Sequence, residues 1–321
     1  MTTLHLVDDQ LAPAVTALPT LQLNALSLPK IRAALAARPT PVQPPIQGVR
    51  VIEQRAPGVA GAPDVRVSVY EAVDRQETTG ALLWMHAGGF VLGSADADDA
   101  YCRRLALEAE CVVVNVDYRL APETTHPGPL DDCHAALNWL RGQAARLRVD
   151  PSRLAVGGQS AGAGLAAALA LRVRDRSEPP LAFQLLFYPM LDDRTAAGRH
   201  SNRHTGEFVW TQDNNLFGWT ALLGNPPGGD NVPADAAPAR ATELHGLAPV
   251  HLAVGALDLF LEENLEYGTR LLSAGVTTAI HVYPGAYHGF DRVVVDASVS
   301  VRARQDAVAA LRCAIRKPMR S

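Results

Sequence analysis

Short apolar runs alternate along most of the chain with longer stretches in which apolar residues recur every three or four positions. The apolar runs predict strands at Val65–Tyr70, Ala81–Met85, Cys111–Val116, Leu154–Gly157, Phe183–Phe187, Val250–Val254 and Thr278–Tyr283. The stretches with helical spacing are Asp98–Glu110, Leu130–Leu147, Ser160–Arg174, Glu262–Ala274 and Val299–Ile315. This alternation predicts an α/β fold whose mostly parallel sheet is covered by helices on both faces, with the runs at 111–116 and 183–187 as central strands.

Two regions interrupt the alternation. Residues 1–45 predict one or two amphipathic helices before a proline-rich joint, and residues 192–231 are first polar, then aromatic, then rich in Pro and Gly. The aromatic residues are Phe208, Trp210, Phe217 and Trp219. Both regions could be surface excursions, but aromatic residues clustered in a chain with only 6% aromatic content indicate packing against another surface. We therefore predict a helical cap made of residues 1–45 and 192–231, on a core made of residues 46–191 and 232–321.

Composition excludes several classes of protein. The chain has 321 residues, 48% of them hydrophobic and 19% charged, as in a globular protein with a large core. Its net charge is −4 and it has no basic run, so we expect no nucleic-acid partner. No apolar stretch approaches the roughly 18 residues of a membrane-spanning helix, and the first residues lack the pattern of a signal peptide. We therefore expect a cytoplasmic protein.

The four cysteines, Cys102, Cys111, Cys133 and Cys313, are too few for a disulfide framework and include no CxxC pair. Reduced thiols are the expectation, with a Cys102–Cys111 bridge as the alternative. His, Cys and Asp residues are not clustered at the spacing of metal ligands, so we expect no metal and no organic cofactor.

The most informative motif is Gly158-Gln159-Ser160-Ala161-Gly162, between a predicted strand and an Ala- and Leu-rich helix. A serine hydroxyl is a poor nucleophile unless it is held in the open beside a base, and a sharp strand-to-helix turn holds it so. The glycines allow strand and helix to approach closely, and the Ala161 N–H at the start of the helix would face a developing oxyanion. An ordinary glycine-rich connection has the same pattern. The choice between a nucleophile and such a connection therefore depends on whether the chain also offers a base, an acid and oxyanion donors for Ser160.

A second glycine-rich turn supplies the missing hydrogen-bond donors. The strand Ala81–Met85 leads into His86-Ala87-Gly88-Gly89-Phe90, where Gly88 and Gly89 let backbone N–H groups turn inward without a side chain in the way. An ordinary turn would look similar, but its place upstream of the serine motif favours an oxyanion hole. We expect the His86 ring to be structural and to hold this loop by hydrogen bonding.

His288 is the best candidate for a base among the ten histidines. It follows the strand Thr278–Tyr283 on a loop, at the edge where parallel sheets carry their sites. The other nine are His251 and His281, inside strand patterns, and His5, His86, His126, His134, His200, His204 and His245. A solvent-facing loop histidine is the alternative for His288.

Asp258 is the candidate acid, because it is the first carboxylate after the strand Val250–Val254. Glu262 and Glu263 follow in the first turn of the next predicted helix, where favourable interaction with the helix dipole suffices to explain them. The chain order is therefore serine, acid, histidine, with each residue on a loop after a different strand.

Taken together, these motifs resemble those of bacterial carboxylesterases in the hormone-sensitive-lipase group of α/β-hydrolases. The resemblance covers about residues 46–317. It rests on His86-Ala87-Gly88-Gly89-Phe90, Asp117-Tyr118-Arg119-Leu120-Ala121-Pro122-Glu123, Gly158-Gln159-Ser160-Ala161-Gly162, Tyr188-Pro189-Met190-Leu191-Asp192, Gly246-Leu247-Ala248-Pro249, Gly255-Ala256-Leu257-Asp258 and Tyr283-Pro284-Gly285-Ala286-Tyr287-His288-Gly289-Phe290. It implies an eight-stranded sheet and a helical cap. It also implies that Ser160 is the nucleophile, His288 the base and Asp258 its orienting acid, with the N–H groups of Gly88, Gly89 and Ala161 as the oxyanion hole.

Two residues depart from the pattern of that group. Ala87 stands where a glycine is usual, and we expect the oxyanion hole to survive because Gly88 and Gly89 are kept. Gln159 stands before the nucleophile where an acidic residue, Thr or Ser is usual, which removes a possible charge beside the turn.

The function that we predict is hydrolysis of short- to medium-chain acyl esters through a covalent acyl-enzyme. Amide or thioester hydrolysis is the alternative chemistry, and a ligand receptor on the same fold is the non-enzymatic one. An apolar substrate pocket is expected from Phe90, Tyr188, Phe208, Trp210 and Phe290. The partner is then a small-molecule ester, and a homodimer through an edge strand is possible.

Overall fold

The computed structural model describes residues 2–18, 21–37, 46–59, 61–199 and 202–316. Eight strands form one sheet: β1 (Val49–Ala56), β2 (Val65–Ala72), β3 (Thr79–Met85), β4 (Val112–Asp117), β5 (Val149–Gln159), β6 (Phe183–Phe187), β7 (Val250–Gly255) and β8 (Thr278–Tyr283). Their spatial order is β1-β2-β4-β3-β5-β6-β7-β8. Strands β1, β2 and β4 pair antiparallel, and every other neighbouring pair is parallel. The predicted α/β fold class with about eight strands is confirmed.

Helices cover the sheet and connect its strands. They are α1 (Ala12–Ala17), α2 (Leu28–Ala36), α3 (Asp99–Glu108), α4 (Gly128–Gly142), α5 (Ala161–Asp175), α6 (Asp193–Ala196), α7 (Gln212–Leu223), α8 (Leu261–Ser273), α9 (Phe290–Val293) and α10 (Ser298–Ile315). Helix α5 is buried along almost its whole length, because its Ala and Leu residues pack against the sheet. Within the described residues no helix is both long and apolar enough to cross a membrane.

The sequence pattern missed strand β1 and misjudged the ends of two elements. Strand β1 lies at the sheet edge and keeps several polar side chains in solvent, so no apolar run marks it. Strand β5 begins five residues earlier than the apolar run at Leu154, because its first half lies at the more exposed end of the sheet. Helix α4 ends at Gly142, five residues before the predicted end at Leu147.

The carboxyl ends of the parallel strands meet at one edge of the sheet. Strand β3 leads there into the His86–Phe90 loop, β5 into Ser160, and β7 and β8 into the loops of Asp258 and His288. Four segments that are distant in sequence therefore reach one region, as expected for a site in a parallel sheet.

The N-terminal arm contacts the segment that was predicted to share a cap with it. The Asn214 amide of α7 accepts a hydrogen bond from the Leu23 N–H (2.9 Å) and donates one to the Leu21 carbonyl (3.0 Å). Glu207 accepts from the Thr3 N–H (2.6 Å). The two chain segments of the predicted cap are thus in contact with each other. The proline-rich joint at residues 38–45 lies outside the described residues. The division into cap and core stays a prediction.

All four cysteines are free thiols. Cys102, Cys111 and Cys133 are buried, and burial raises the pKa of each, to about 12 for Cys111. Cys313 is exposed on helix α10. The expectation of reduced thiols agrees with this arrangement.

Candidate active site

The turn between β5 and α5 holds Ser160 in an unusual backbone conformation. Its φ is 55° and its ψ is −121°, a backbone conformation that residues other than glycine rarely adopt. A Cβ atom on Gly158 would lie 2.5 Å from the Gly162 carbonyl carbon, and one on Gly162 would overlap the Met85 carbonyl. Only glycine therefore allows strand β5, helix α5 and the end of β3 to approach this closely around the serine.

The side chains of Ser160, His288 and Asp258 form a continuous chain of hydrogen bonds. The Ser160 Oγ lies 3.0 Å from His288 Nε2, and His288 Nδ1 lies 2.8 Å from Asp258 Oδ2. With the ring proton on Nδ1, His288 donates a hydrogen bond to the carboxylate, and the Nε2 lone pair is free to accept one from the serine hydroxyl. The other Asp258 oxygen accepts from the Phe260 N–H (2.9 Å), which fixes the carboxylate. The structure thus brings together the three predicted side chains.

All three groups are withdrawn from bulk water. Ser160 is 2% exposed, Asp258 is fully buried and His288 is 6% exposed. Because a low-dielectric environment strengthens hydrogen bonds to charge, the carboxylate is well placed to stabilise an imidazolium at His288.

The loop after β3 lies beside the serine with its glycines in left-handed conformations. Gly88 has φ +138° and Gly89 has φ +60°. The Gly88 carbonyl accepts from the N–H groups of Val91 (3.1 Å) and Leu92 (2.8 Å), so the loop is closed on itself. Ala161 is the first residue of α5, where the helix supplies no carbonyl for its N–H group. These are donors of the kind that an oxyanion hole requires.

His86 lies beneath this loop, as expected for a structural residue. Its Nδ1 lies 2.9 Å from the Ala87 carbonyl, and its ring stacks on Tyr118 at 4.1 Å between centroids. The Tyr118 hydroxyl donates to the His86 carbonyl (2.7 Å). Burial lowers the pKa of His86, which favours a neutral ring. The loop is therefore supported from the side opposite the site.

Aromatic rings surround His288. The ring centroids of Tyr188, Phe260 and Trp210 lie 4.8, 5.2 and 6.3 Å from the imidazole. Tyr188 and Trp210 were predicted pocket residues. Phe260 was missed, although its place two residues after Asp258 is a usable signal.

The other predicted pocket residues contact different rings. Phe90 packs on Trp219 (5.3 Å), Phe208 on Tyr287 (6.2 Å), and Phe290 on Tyr188 (6.5 Å) and Tyr283 (5.7 Å). Their role in binding substrate stays a prediction.

The contacts of a group of polar side chains behind Ser160, all buried except the partly exposed Arg292, were also missed. It consists of Gln159, Asp291, Arg292 and Asp98. The sequence drew attention to Gln159 alone, as part of the serine motif. No motif marks the other three residues, because Asp98 lies far from Asp291 and Arg292 in the chain.

Comparison with known proteins identifies the family. A family model described as the alpha/beta hydrolase fold matches residues 82–292, about two thirds of the chain. The chain belongs to the α/β-hydrolase family. Within this family it lies in the hormone-sensitive-lipase-like group, so the resemblance seen in the motifs is confirmed.

Relatives of this α/β-hydrolase are esterases. It is 35% identical to esterase LipI of Mycobacterium tuberculosis over 79% of this chain and 78% of the relative. Carboxylesterase NlhH of the same organism is 33% identical over 82% of this chain and 83% of the relative. Among solved structures, a bacterial heroin esterase superposes with a TM-score of 0.89 and 39% identity, covering 98% of this chain and 100% of that one. The α/β-hydrolase described here is accordingly a carboxylic ester hydrolase.

Proposed function

We propose that this esterase hydrolyses short- to medium-chain acyl esters through Ser160, His288 and Asp258, with a covalent acyl-enzyme intermediate. The observation that carries the proposal is the hydrogen-bonded series from the Asp258 carboxylate through His288 to the Ser160 hydroxyl, with distances of 2.8 and 3.0 Å. The relatives support ester chemistry, and the aromatic surroundings of His288 support an apolar acyl group.

The reaction proceeds in two half-reactions. His288 takes the proton of Ser160 as Oγ attacks the ester carbonyl carbon, and Asp258 stabilises the imidazolium that forms. The carbonyl oxygen becomes an oxyanion that accepts hydrogen bonds from the N–H groups of Gly88, Gly89 and Ala161. The C–O bond to the alcohol then breaks, and the alkoxide leaves with the proton from His288.

Water completes the cycle. His288, now neutral, takes a proton from a water molecule as the water attacks the acyl-enzyme carbonyl. The second oxyanion collapses, the bond to Ser160 Oγ breaks, and Oγ recovers its proton from His288. The products are a carboxylic acid and an alcohol, and the enzyme returns to its initial state.

Substitution of the nucleophile tests the proposal. We expect Ser160→Ala to lower kcat on p-nitrophenyl acetate and butyrate by a factor on the order of 10⁶, because the serine and its base act as a unit. A fluorophosphonate probe should label Ser160 in the parent enzyme and leave the variant unlabelled.

Ser273→Ala is the matched control, because Ser273 lies at the exposed end of α8 and its hydroxyl donates to the Thr269 carbonyl of the same helix (3.0 Å). It should keep the parental rate and the label. A Ser160→Ala variant with more than a tenth of the parental activity, or a label on another residue, would contradict the proposal. Amide or thioester analogues hydrolysed faster than the matched ester would contradict the substrate class.

A further inference from the structure

A buried polar cluster behind the nucleophile takes no part in the proton transfers described above. It comprises Gln159, Asp291, Arg292, Asp98 and Tyr188, and we refer to it as the Gln159 cluster. Gln159 is fully buried, Asp98 and Tyr188 are 1% exposed and Asp291 is 6% exposed, whereas the Arg292 side chain is 29% exposed. Burial of this many polar groups is costly unless they satisfy one another, so their contacts carry information.

The Gln159 amide is hydrogen-bonded to two residues of the short helix α9, which follows directly on the histidine loop (residues 284–289) that carries His288. Its Nε2 donates to Asp291 Oδ2 (2.8 Å), and its Oε1 accepts from the Arg292 guanidinium (2.7 Å). Gln159 precedes Ser160 directly, and Asp291 follows His288 by three residues. The two hydrogen bonds therefore join the backbone of the nucleophile turn to that of the histidine loop.

Further contacts connect the cluster to strand β3 and to His288. Arg292 also donates to Asp98, whose other oxygen accepts from the Trp84 indole of β3 (2.8 Å). The second oxygen of Asp291 accepts from the Tyr188 hydroxyl (2.6 Å). The Tyr188 ring in turn packs edge-on against His288. The cluster thus holds His288 both through its own loop and through the ring beside it.

An amide is the group that this place requires. Asp291 needs a donor and Arg292 needs an acceptor, and a glutamine side chain offers one of each. A carboxylate at position 159 would face the Asp291 carboxylate, and the two could hydrogen-bond only by taking up a proton. An apolar side chain would leave both neighbours unpaired.

We propose that Gln159 is a positioning residue, which sets the distance between Ser160 and His288 by clamping the nucleophile turn to the histidine loop through Asp291 and Arg292. This inference rests on the proposed function, because it concerns the alignment of the same serine and histidine. It predicts that the polarity of the 159–291 pair matters, rather than the identity of either residue.

Exchange of the donor and the acceptor tests this directly. Gln159→Glu and Asp291→Asn are each isosteric. The first sets two carboxyl groups against each other, and the second leaves one amide oxygen for the two donors, Gln159 and Tyr188, that Asp291 accepts from. We expect each to lower kcat on p-nitrophenyl acetate by about 10- to 100-fold with KM within about threefold. In the double variant, the new amide at 291 donates to the new carboxylate at 159, which still accepts from Arg292, and the net charge is unchanged. We expect kcat to recover to within about threefold of the parent.

Two controls separate positioning from folding. Gln184 is another fully buried glutamine, in β6 and bonded to the Ala248 carbonyl (2.9 Å), so Gln184→Glu should lower stability while the folded fraction keeps its kcat. Should Gln159→Glu not fold, Tyr188→Phe removes only the hydroxyl that bonds Asp291 and should still lower kcat several-fold at unchanged KM.

The outcomes are distinct from those of the proposed function. Single variants with kcat within twofold of the parent, or a double variant no faster than the slower single one, would overturn the role of Gln159. Loss of fluorophosphonate labelling in Ser160→Ala would meanwhile still identify the nucleophile. Retained activity in Ser160→Ala would instead contradict both the proposed function and the role of Gln159.

Discussion

Gly89 is the residue at which the proposed oxyanion loop meets the aromatic segment. Its φ of +60° strains any other residue, and a Cβ atom there would overlap the Trp210 ring. The left-handed backbone of the proposed Gly89 donor and the close approach of Trp210 thus both depend on a missing side chain. A single methyl group would disturb the donor and the aromatic ring together.

We therefore expect Gly89→Ala to lower kcat/KM on p-nitrophenyl acetate by at least about 100-fold, the effect of losing one oxyanion donor. Gly142→Ala is the matched control, because Gly142 ends helix α4 and no atom of the described residues lies within 4 Å of its Cβ position. It should keep the parental kcat/KM and melting temperature. Parental kcat/KM in Gly89→Ala would show that this N–H is not an oxyanion donor.

At the scale of elements, the segment from Phe208 to α7 packs against the Gly88–Gly89 loop and lies close to His288. Trp210 is 4% exposed and lies between Gly89 and the first turns of α7, with its indole N–H 3.4 Å from the Asn215 amide oxygen. A Cβ atom on Gly218 of α7 would lie 2.7 Å from the Gly89 carbonyl. The helix and the oxyanion loop are therefore in close contact, with the Trp210 ring filling the space beside His288.

This arrangement predicts that Trp210 limits the length of the acyl group. We expect Trp210→Ala to raise the ratio of kcat/KM for p-nitrophenyl octanoate over acetate by about tenfold or more, because the vacated indole volume admits additional methylene groups. An acyl-chain series from acetate to decanoate measures this ratio. Trp139→Ala, in helix α4, is the control for loss of a tryptophan and should leave the ratio unchanged. An unchanged ratio in Trp210→Ala would show that Trp210 does not limit the length of the acyl group.

Much of this architecture could be predicted from the sequence, because buried parallel strands are nearly continuous apolar runs. Strands β3, β4, β6 and β7 and the second half of β5 have that signature, whereas β1 does not because its arginine and glutamate side chains are exposed. Strand β2 alternates apolar and polar residues and the edge strand β8 is only partly buried, yet both still have enough apolar residues to be predicted as strands. The juxtaposition of Ser160, Asp258 and His288 also follows from the sequence, since each comes directly after a strand. The contacts within the Gln159 cluster do not follow from the sequence, because Asp98 precedes helix α3 and Arg292 lies in α9, 194 residues later, and only the fold brings them together. Glu263 is a further example: a helix-dipole role was expected, yet it is buried and accepts from the Leu191 N–H (2.7 Å).

The whole molecule keeps several histidines buried, and this links its stability to pH. His251 lies in β7, 1% exposed, with both ring nitrogens lacking a partner within the described part of the chain. Burial, with a contribution from His281 stacked on it at 4.5 Å, lowers the pKa of His251 to about 4, while Asp306 acts in the opposite direction. Burial likewise lowers the pKa of His86 and His134. Between the unfolded pKa of about 6.5 and the lower folded values, the unfolded chain binds protons that the folded one does not.

Folding stability should consequently fall as the pH falls below about 6.5. For His251 alone the loss between pH 7 and pH 5 is about 2 kcal/mol. His251→Phe keeps a ring against Phe187 and removes the titrating group, so its free energy of unfolding should decline by about 2 kcal/mol less over that interval, as measured by urea denaturation. His245→Phe, at an exposed histidine, should keep the parental dependence. Equal declines in the parent and His251→Phe would contradict the assignment.

The distribution of the thiols has a practical consequence for attaching the enzyme to a support or a dye. Alkylating reagents attack thiolates that solvent can reach, and three of the four sulfur atoms are enclosed by the core. Cys313, on helix α10, is exposed and therefore accessible to such reagents in the folded protein. A maleimide would hence couple the native chain at a single defined point, without prior removal of any other cysteine.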